Sequence, residues 1–299
     1  MKSGFVSLIG RPNAGKSTLL NRLVGTKIAI VSDKPQTTRT RILGVKNHPD
    51  AQIVYLDTPG IHRPLHRMNV RMVDVAKDSM REVDVLGLVV DVTERPGKGD
   101  QYVFDLIKTS TAPVFLILNK IDLIKKTRLL PIMDAHYQSG TFAEIVPVSA
   151  ETGDNVGRLE RLIVERLPEG ERLYPEDYLT DQPERFLASE IVREKLLQFT
   201  HAELPFSSGV VIDRFEEPDS ATHGLLRLYC TIVVDRESHK PIVVGRGGEM
   251  IKKIGTAARL ELERFFGTRV FLDLHVRVKS EWREDDRALN DMGLGPKDE

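Results

Sequence analysis

The segment from Gly10 to Ser17, Gly-Arg-Pro-Asn-Ala-Gly-Lys-Ser, constrains the fold of this chain more than any other. It fits the pattern G-x-x-x-x-G-K-[ST], a loop that joins a strand to a helix and wraps phosphate groups with backbone N–H groups. The apolar run at 5–9 predicts the strand, and the pattern at 16–24 predicts a helix that ends at Gly25. The loop is therefore predicted to aim a helix N-terminus at bound phosphates.

Residues of this loop are predicted to act on the phosphates in different ways. Gly10 and Gly15 permit backbone conformations and close approaches that a Cβ atom would obstruct. Lys16 can reach the β- and γ-phosphates, and the Ser17 hydroxyl can ligate Mg²⁺. The predicted phosphate-binding residues of the loop are Gly10, Asn13, Ala14, Gly15, Lys16, Ser17 and Thr18.

A second motif, Asn119-Lys120-Ile121-Asp122, predicts the base. The Asp122 carboxylate can accept hydrogen bonds from N1–H and the N2 amino group of guanine, which adenine cannot offer, so the predicted ligand is GTP. The motif follows an apolar run at 113–118 that is typical of a buried parallel strand, and ligands bind at the carboxyl ends of such strands. Ser149 and Ala150 follow a later strand-like run and are predicted to direct backbone N–H groups to the guanine O6. The predicted guanine-binding residues are Asn119, Lys120, Asp122, Ser149 and Ala150.

A third motif supplies candidate groups for a magnesium ion and for contact with the γ-phosphate. Asp57 follows an apolar run and is predicted to hold Mg²⁺ through water, while the Gly60 N–H is predicted to contact the γ-phosphate. A hydroxyl from the loop at 36–39 can complete the Mg²⁺ shell only while the γ-phosphate is present, and Thr38 is preferred over Thr37. The predicted Mg²⁺ ligands are Ser17, Thr38 and Asp57.

These five elements resemble, in order and spacing, those of the translation-factor-related GTPases. Many regulatory GTPases orient the attacking water with a Gln after the Gly of the third element, but this chain has Ile61 there. Two interpretations stay open: slow intrinsic hydrolysis, or an Ile61 that packs while another side chain positions the water. In related GTPases with a hydrophobic residue here, an Asn of the phosphate loop helps to bind K⁺, and Asn13 matches that position. The resemblance therefore predicts that K⁺ stimulates hydrolysis.

Strand and helix patterns alternate through residues 1–168, and such alternation predicts a mainly parallel sheet with helices on both faces. Strands are predicted near 5–9, 41–47, 51–56, 85–91, 113–118 and 145–148, and helices near 16–24, 67–81, 99–109, 127–139 and 155–167. The polar stretch 169–184 is predicted to be a semi-rigid linker because it contains prolines. Residues 185–299 are predicted to form a second domain.

The second domain has a different pattern. A helix is predicted over 185–201, strands over 209–215 and 225–235, a helix that ends at 266, and a strand over 269–279. The run Gly-Arg-Gly-Gly at 245–248 fits the Gly-x-x-Gly turn of a KH domain, which clamps the backbone of single-stranded RNA. Two strands before this turn and a third after the helix predict the bacterial, type II KH arrangement. The predicted RNA-binding residues are Gly245, Arg246, Gly247, Gly248, Lys252, Lys253 and Arg277.

Charge supports an RNA contact only locally. The 299-residue chain has a net charge of −1, but residues 239–280 carry nine Lys or Arg against four Asp or Glu. Aromatic residues make up 6% of the chain and show no row that could stack successive bases. RNA recognition is therefore predicted to rest on clamping of the backbone and on an apolar groove.

Composition argues against several other classes of protein. The one cysteine, Cys230, rules out an intramolecular disulfide and is predicted to be a small buried hydrophobe. No apolar run approaches the ~18 residues needed to span a membrane, and a strand that begins by Phe5 leaves no room for a leader peptide. The chain is therefore expected to be a cytoplasmic protein.

Taken together, the GTP-binding pattern, the linker and the KH pattern resemble the Era family of ribosome-assembly GTPases over essentially the whole chain. The resemblance is carried by Gln36–Arg39, Asp57–His62 and Val244–Gly248, among other motifs. It implies an α/β P-loop GTPase domain with a mostly parallel, doubly wound sheet, followed by a smaller α+β type II KH domain. It also implies a bacterial, Mg²⁺-dependent GTPase that binds single-stranded RNA near the 3′ end of the small-subunit ribosomal RNA and assists assembly of that subunit. Further implications are a monomeric state, stimulation of hydrolysis by RNA, and peripheral association with the inner face of the cell membrane.

Three other functions would use parts of the same pattern. A GTP-regulated protein that binds a non-ribosomal RNA fits the same motifs and stays open. A passive RNA-binding module with a vestigial nucleotide site is disfavoured because every phosphate and base element is intact. A small-molecule phosphotransferase is disfavoured because the motif at 119–122 selects guanine and no acceptor pocket is suggested.

Overall fold

A computed structural model describes residues 1–62, 64, 66–81, 83–95, 97–138, 141–202, 204–218 and 224–295. The chain forms two compact units. The first comprises Met1–Val31, Gln36–Leu65 and Asn69–Asp181, and the second comprises Ser32–Pro35, His66–Met68 and Gln182–Glu299. Across the described ranges, none of the helices has both the length and the apolar character needed to cross a membrane.

The first unit is built on a six-stranded sheet. Its strands are β1 (Lys2–Ile9), β2 (Ile42–Asn47), β3 (Ala51–Asp57), β4 (Val85–Asp91), β5 (Val114–Asn119) and β6 (Glu144–Pro147). Its helices are α1 (Lys16–Val24), α2 (Arg67–Asp78), α3 (Lys98–Ile107), α4 (Lys126–Tyr137) and α5 (Val156–Arg166). The strand order is β2-β3-β1-β4-β5-β6, and every pair is parallel except β2–β3. The predicted mostly parallel, doubly wound sheet is therefore confirmed.

Helices cover both faces of this sheet because its central strands are apolar on both faces. On one face, Leu19 of α1 and Leu159 of α5 lie in a core with residues of β1, β3 and β5. On the other face, Val103 and Ile107 of α3 pack on residues of β1, β4 and β5. Strands buried on both sides are expected for parallel sheets. This architecture brings the carboxyl ends of β1, β3 and β5 to one edge, where the three nucleotide motifs begin.

The predicted linker, 169–184, packs on the first unit as far as Asp181. Oε1 of Gln52, a fully buried residue of β3, accepts the backbone N–H groups of Leu173 and Tyr174 at 2.8 and 2.9 Å. The Tyr174 ring stacks on a second tyrosine of the segment with a centroid separation of 4.7 Å, and both rings pack against apolar side chains of β2 and β3. The segment from 169 to 181 therefore packs on the first unit.

The second unit is a smaller α+β fold. Its elements are α6 (Glu184–Phe199), α7 (Leu204–Ser207), β7 (Ser208–Glu216), β8 (Leu226–Val234), α8 (Lys240–Val244), α9 (Glu249–Phe266), β9 (Val270–Val278) and α10 (Asp286–Asp291). The sheet order is β7-β8-β9, with β8 antiparallel to β7 and parallel to β9. These strands and the intervening α8–α9 pair confirm the predicted type II KH fold. The short helix α8 was not predicted from the sequence.

Cys230 lies in the core of the second unit and is fully buried. Burial raises the pKa of its thiol to about 12, and nearby carboxylates act in the same direction. The residue therefore behaves as the small hydrophobe that the sequence predicts.

Candidate nucleotide and RNA sites

The loop between β1 and α1 requires its two glycines. An added Cβ at Gly10 would lie 2.3 Å from the carbonyl oxygen of Val89, and one at Gly15 would lie 2.2 Å from Nδ2 of Asn119. Asn13 has a φ of 64°, a left-handed conformation that Asn adopts more readily than most residues. The loop thus leads into α1, whose first N–H groups have no acceptor within the helix and can face an anion.

Lys16 fills the centre of the loop. Its side chain is buried, and Nζ donates to the carbonyl oxygens of Gly10 and Arg11 at 3.3 and 3.0 Å. Burial lowers the pKa of Lys16 to about 8, while the carboxylate of Asp57 opposes that shift. The ammonium group is therefore held by loop carbonyls that phosphate oxygens can replace.

Three oxygen-bearing side chains converge beside Lys16. Ser17 Oγ lies 2.7 Å from Thr38 Oγ1 and donates to Asp57 Oδ2 at 2.6 Å. Thr38 Oγ1 also donates to Asp57 Oδ2, at 3.3 Å. Burial raises the pKa of Asp57, and the Lys16 charge and the two hydroxyl groups act against that rise. The structure therefore brings the three predicted Mg²⁺ ligands together.

This cluster fits a magnesium ion by its chemistry. Mg²⁺ takes oxygen ligands and keeps several waters, and it is usually bound by one or two carboxylates and by substrate phosphates. The second carboxylate oxygen, Asp57 Oδ1, is buried and has no hydrogen-bond partner within the described part of the chain. A buried, unpartnered carboxylate oxygen at this place is suited to a water of the metal shell.

The third motif packs directly on the phosphate loop. An added Cβ at Gly60 would lie 2.7 Å from Cα of Pro12, so only glycine permits this approach. The Ile61 N–H donates to the carbonyl oxygen of Gly10 at 3.0 Å, and its side chain is buried in the apolar core. Ile61 therefore packs, which leaves open which group positions the water.

His62 is the polar residue beside Ile61 at the end of the motif 57–62, and no role was predicted for it. Its Nδ1 lies 2.9 Å from the carbonyl oxygen of Gly60, and its Nε2 lies 3.3 Å from Nε2 of Gln36. If Nδ1–H donates to that carbonyl, Nε2 is the acceptor for the Gln36 amide. His62 thus joins the loop that carries Thr38 to the loop that carries Gly60.

Asn119 connects the guanine motif to the phosphate loop. Its Nδ2 donates to the carbonyl oxygen of Ala14 at 2.8 Å, and its Oδ1 accepts the Ala150 N–H at 2.9 Å. The side chain is buried, so both bonds lie in a region of low dielectric. Asn119 therefore holds three of the predicted nucleotide segments together, a role that the motif alone did not predict.

Lys120 and Asp122 follow the end of β5 and have different surroundings. Lys120, with a φ of 68°, forms an ion pair with Asp91 through Nζ and Oδ2 at 2.5 Å. Burial acts to raise the pKa of Asp91, but hydrogen bonds from Lys120 and from Thr93 outweigh it and the pKa is lowered. Asp122 is exposed, so its carboxylate is accessible to a base. Asp91 was missed, although its place at the end of β4 is the signal that could have found it.

The Ser149 and Ala150 N–H groups already have acceptors in the protein. The Ser149 N–H donates to the carbonyl oxygen of Asp154 at 3.0 Å, and the Ala150 N–H donates to Asn119. Both residues are buried beside Asn119. The contact of these N–H groups with guanine O6 therefore stays a prediction that requires a change or sharing of partners.

In the second unit, the Gly-x-x-Gly turn joins α8 to α9. Gly245, Gly247 and Gly248 have φ values of 76°, 59° and 83°, which favour glycine. An added Cβ at Gly245 would lie 2.7 Å from the backbone nitrogen of Met250, whereas Gly247 faces open space. The turn is therefore tight on its inner side and open to a ligand on its outer side.

Three of the four predicted cationic residues lie in or just after this turn, and the fourth does not. Arg246 and Lys252 are exposed, and Lys253 is exposed with its Nζ 4.4 Å from the centroid of the Phe199 ring. Arg277 lies apart from them: its neighbours in β9 that face the helices are the apolar residues, so alternation puts Arg277 on the opposite face of the sheet. That face also carries an aromatic pair, Tyr229 and Phe271, which the sequence did not predict.

Family models match both units. A model described as a 50S ribosome-binding GTPase matches residues 5–120, and a KH domain model matches residues 208–283. These two ranges contain the nucleotide motifs through Lys120 and the Gly-x-x-Gly turn.

Full-length relatives give a more specific result. The chain is 50% identical to the GTPase Era of Geobacter metallireducens, and the match covers 98% of this chain and 97% of that protein. It is 46% identical to the GTPase Era of Staphylococcus haemolyticus, with the same two coverages. Among solved structures, Era in complex with MgGDPNP and nucleotides 1506–1542 of 16S ribosomal RNA has a TM-score of 0.95 and 44% identity, covering 99% of this chain and 100% of that one. A point variant of Aquifex aeolicus Era bound to GDP·AlF4⁻ has a TM-score of 0.94 and 43% identity with the same coverage. With this identity over nearly its whole length, the chain belongs to the Era family of GTPases.

Proposed function

We propose that this chain is a GTP-hydrolysing switch that binds single-stranded RNA near the 3′ end of the small-subunit ribosomal RNA and assists assembly of that subunit. The observation that carries the proposal is the match over both units to Era in complex with MgGDPNP and nucleotides 1506–1542 of 16S ribosomal RNA. The open Gly-x-x-Gly turn supports it, because such turns clamp single-stranded RNA.

We propose an RNA of the small ribosomal subunit because the match that names 16S ribosomal RNA covers more of this chain than the match that names the 50S ribosome. The family model described as a 50S ribosome-binding GTPase covers only residues 5–120, which do not include the KH domain. The Era complex with 16S ribosomal RNA matches 99% of the chain, including the unit that carries the Gly-x-x-Gly turn. A non-ribosomal RNA is the second candidate, because the turn binds the RNA backbone and does not by itself recognise a base sequence.

At the nucleotide site we propose a ligand for each functional group that the structure presents. Lys16 and the N–H groups of the loop would bind the phosphates, and the exposed carboxylate of Asp122 would bind the guanine edge. Ser17, Thr38 and Asp57 would hold Mg²⁺, which supplies charge that stabilises the phosphates during transfer.

A potassium ion is proposed as an activator of hydrolysis. The support is Ile61, which is buried and cannot orient water, together with Asn13 in the loop position that related GTPases use to bind K⁺. We also propose a monomeric protein of the cytoplasm with the domain division given by the sequence. Peripheral association with the membrane rests on the family resemblance alone.

Hydrolysis measured in four conditions tests the proposal: K⁺ or Na⁺ as the salt, each with and without an RNA of nucleotides 1506–1542 of 16S ribosomal RNA. We expect turnover well below the roughly 1–100 s⁻¹ of kinases, and an increase with RNA in either salt. Replacing K⁺ with Na⁺ is expected to lower turnover by about tenfold, equivalent to about 1.4 kcal/mol in the barrier. Asn13→Ala should abolish the K⁺ effect and keep the RNA effect.

Asn13→Gly is the control for backbone strain, because glycine adopts the φ of 64° without cost and also lacks the amide. It should behave as Asn13→Ala does. Equal rates in the two salts would reject the K⁺ site, and equal rates with and without RNA would reject a GTPase regulated by this RNA.

A further inference from the structure

Asp91 is a largely buried aspartate at the end of β4, and the proposed nucleotide contacts do not use it. In the parallel pairing of β4 with β5, Asp91 is the register partner of Asn119, and the Val92 N–H donates to the Asn119 carbonyl oxygen at 3.1 Å. Asn119 in turn donates to the Ala14 carbonyl oxygen of the phosphate loop. Asp91 therefore lies beside the strand end at which the guanine motif begins.

Both oxygens of the Asp91 carboxylate have partners. Oδ1 accepts the backbone N–H of Thr93 at 2.8 Å and its hydroxyl group at 2.6 Å, while Oδ2 accepts Lys120 Nζ at 2.5 Å. The Asp91 side chain is 9% exposed and the Lys120 side chain is 30% exposed. Thr93 therefore fixes the carboxylate, and the carboxylate fixes the ammonium group of Lys120.

The backbone fixes the other end of the Lys120 side chain. Its φ of 68° is a left-handed conformation, which costs energy in a residue other than glycine and persists where the surroundings determine it. The methylene stem therefore runs from the turn after β5 to the end of β4. A lysine without such a partner is free to move, and ordering one on binding weakens affinity by about 2- to 10-fold.

A second carboxylate, that of Asp122, follows Lys120 by two residues and is exposed. The proposed role of Asp122 requires its oxygens for the guanine edge. Because opposite charges attract, an ammonium group without a partner would compete with the base for those oxygens. The ion pair with Asp91 instead directs the Lys120 charge to the neighbouring strand.

We propose that Asp91 is a positioning residue for the guanine base. It holds the Lys120 ammonium group at the end of β4, so that the lysine stem is ordered beside the base and Asp122 keeps its oxygens for the base edge. A lysine stem covers apolar surface while its charged head stays solvated or paired, and the face of a base offers such a surface. This inference rests on the proposed binding of guanine by Lys120 and Asp122. The competing explanation is an ion pair that only closes the end of the sheet.

A double-mutant cycle of Asp91→Asn and Lys120→Met in the full chain tests this role. Asp91→Asn keeps an oxygen for Thr93 but offers Lys120 no negative charge. It should weaken GTP and GDP binding by the same factor of about 3- to 10-fold, because the contact involves the base and not the γ-phosphate. The KM for GTP should rise by that factor while kcat stays within about twofold, as expected for binding that is uniform along the reaction.

Lys120→Met keeps an unbranched side chain without the ammonium group, and it should also weaken GTP binding about 3- to 10-fold. In this background Asp91→Asn should change GTP affinity by less than about twofold, since no charge is left for Asp91 to hold. Inorganic tripolyphosphate with Mg²⁺, which lacks a base, should bind Asp91→Asn as it binds the unmodified chain. The thermal unfolding midpoint shows whether each variant is folded.

Asp105→Asn is the matched control. Asp105 of α3 is 56% exposed and pairs with Lys108 at 2.9 Å, so the substitution removes an aspartate–lysine pair away from the nucleotide motifs. This variant should bind GTP within about twofold of the unmodified chain.

Three results would overturn the inference and leave the proposed function standing. They are unchanged GTP affinity in Asp91→Asn, an equal loss from Asp91→Asn in both Lys120 backgrounds, and an equal loss of GTP and tripolyphosphate. If Lys120→Met and Asp122→Asn each bind GTP as the unmodified chain does, the proposed base site is wrong and the inference is wrong with it.

Discussion

Asp122→Asn is expected to change the base preference of the nucleotide site from guanine to xanthine. The carboxylate accepts hydrogen bonds from N1–H and the N2 amino group of guanine, and an asparagine amide presents a donor to that amino group. Each lost hydrogen bond to a charged group is worth about 1.5–3 kcal/mol, so GTP affinity should fall by at least about 100-fold. Xanthosine triphosphate has a carbonyl at that edge, which the new amide can satisfy, so its affinity should rise.

Equilibrium binding of the two triphosphates to the full chain measures this change. Asp134→Asn is the matched control, since Asp134 is an exposed aspartate of α4 and the substitution makes the same change of charge. The control should bind GTP as the unmodified chain does. If Asp122→Asn retains GTP affinity within about threefold, the assignment of Asp122 to the guanine edge is wrong.

Changing Arg246 and Gly247 together to aspartate should eliminate RNA binding. Gly247 faces open space and Arg246 is exposed, so the two carboxylates would stand at the outer side of the turn, against the phosphates of the strand. We expect a loss of at least about 100-fold in affinity at fixed salt, because the change removes one phosphate contact and adds repulsion. GTP binding by the first unit should not change.

The chain provides a matched control in Gly157 and Arg158, which are adjacent and exposed near the start of α5. Changing both to aspartate alters the net charge by the same amount, and an added Cβ at Gly157 meets no atom within 4 Å. This control should keep RNA affinity within about twofold. An equal loss in both double variants would mean that net charge, and not the Gly-x-x-Gly turn, determines RNA affinity.

The sequence was sufficient for the fold class because its signals are local. Alternating strand and helix patterns predicted the parallel sheet, and three motifs predicted a nucleotide site at one edge of it. The Gly-x-x-Gly turn, with strands on either side, predicted the KH fold. Each of these signals depends on the spacing of residues within one short segment.

The contacts that were missed depend on register and on packing between distant segments. Tyr229 and Phe271 meet only because β8 and β9 pair in parallel with a particular register. Asn119 joins Ala14 to Ala150 through one buried side chain. No spacing rule within a single segment contains that information.

The packing of the predicted linker on the first unit has the same origin. Gln52 lies within an apolar strand, where its amide would be costly to bury without partners. Its hydrogen bonds to the segment after 168 satisfy that amide. The polar composition and the prolines of the segment predicted a linker, but composition carries no information about backbone groups that bind a buried glutamine.

We infer that the nucleotide state of the first unit controls RNA binding by the second. Thr38 and Gly60 lie in two loops that the γ-phosphate is expected to order, and His62 and Gln36 join these loops. Coupling between two sites is typically worth about 1–3 kcal/mol, and it must be reciprocal.

The most direct test is the affinity of the full chain for the RNA of nucleotides 1506–1542, at fixed salt, with a non-hydrolysable GTP analogue, with GDP and without nucleotide. We expect the GTP analogue to tighten RNA binding about 5- to 150-fold relative to GDP. Equal affinities in all three states would show two independent binding modules on one chain and would contradict the account.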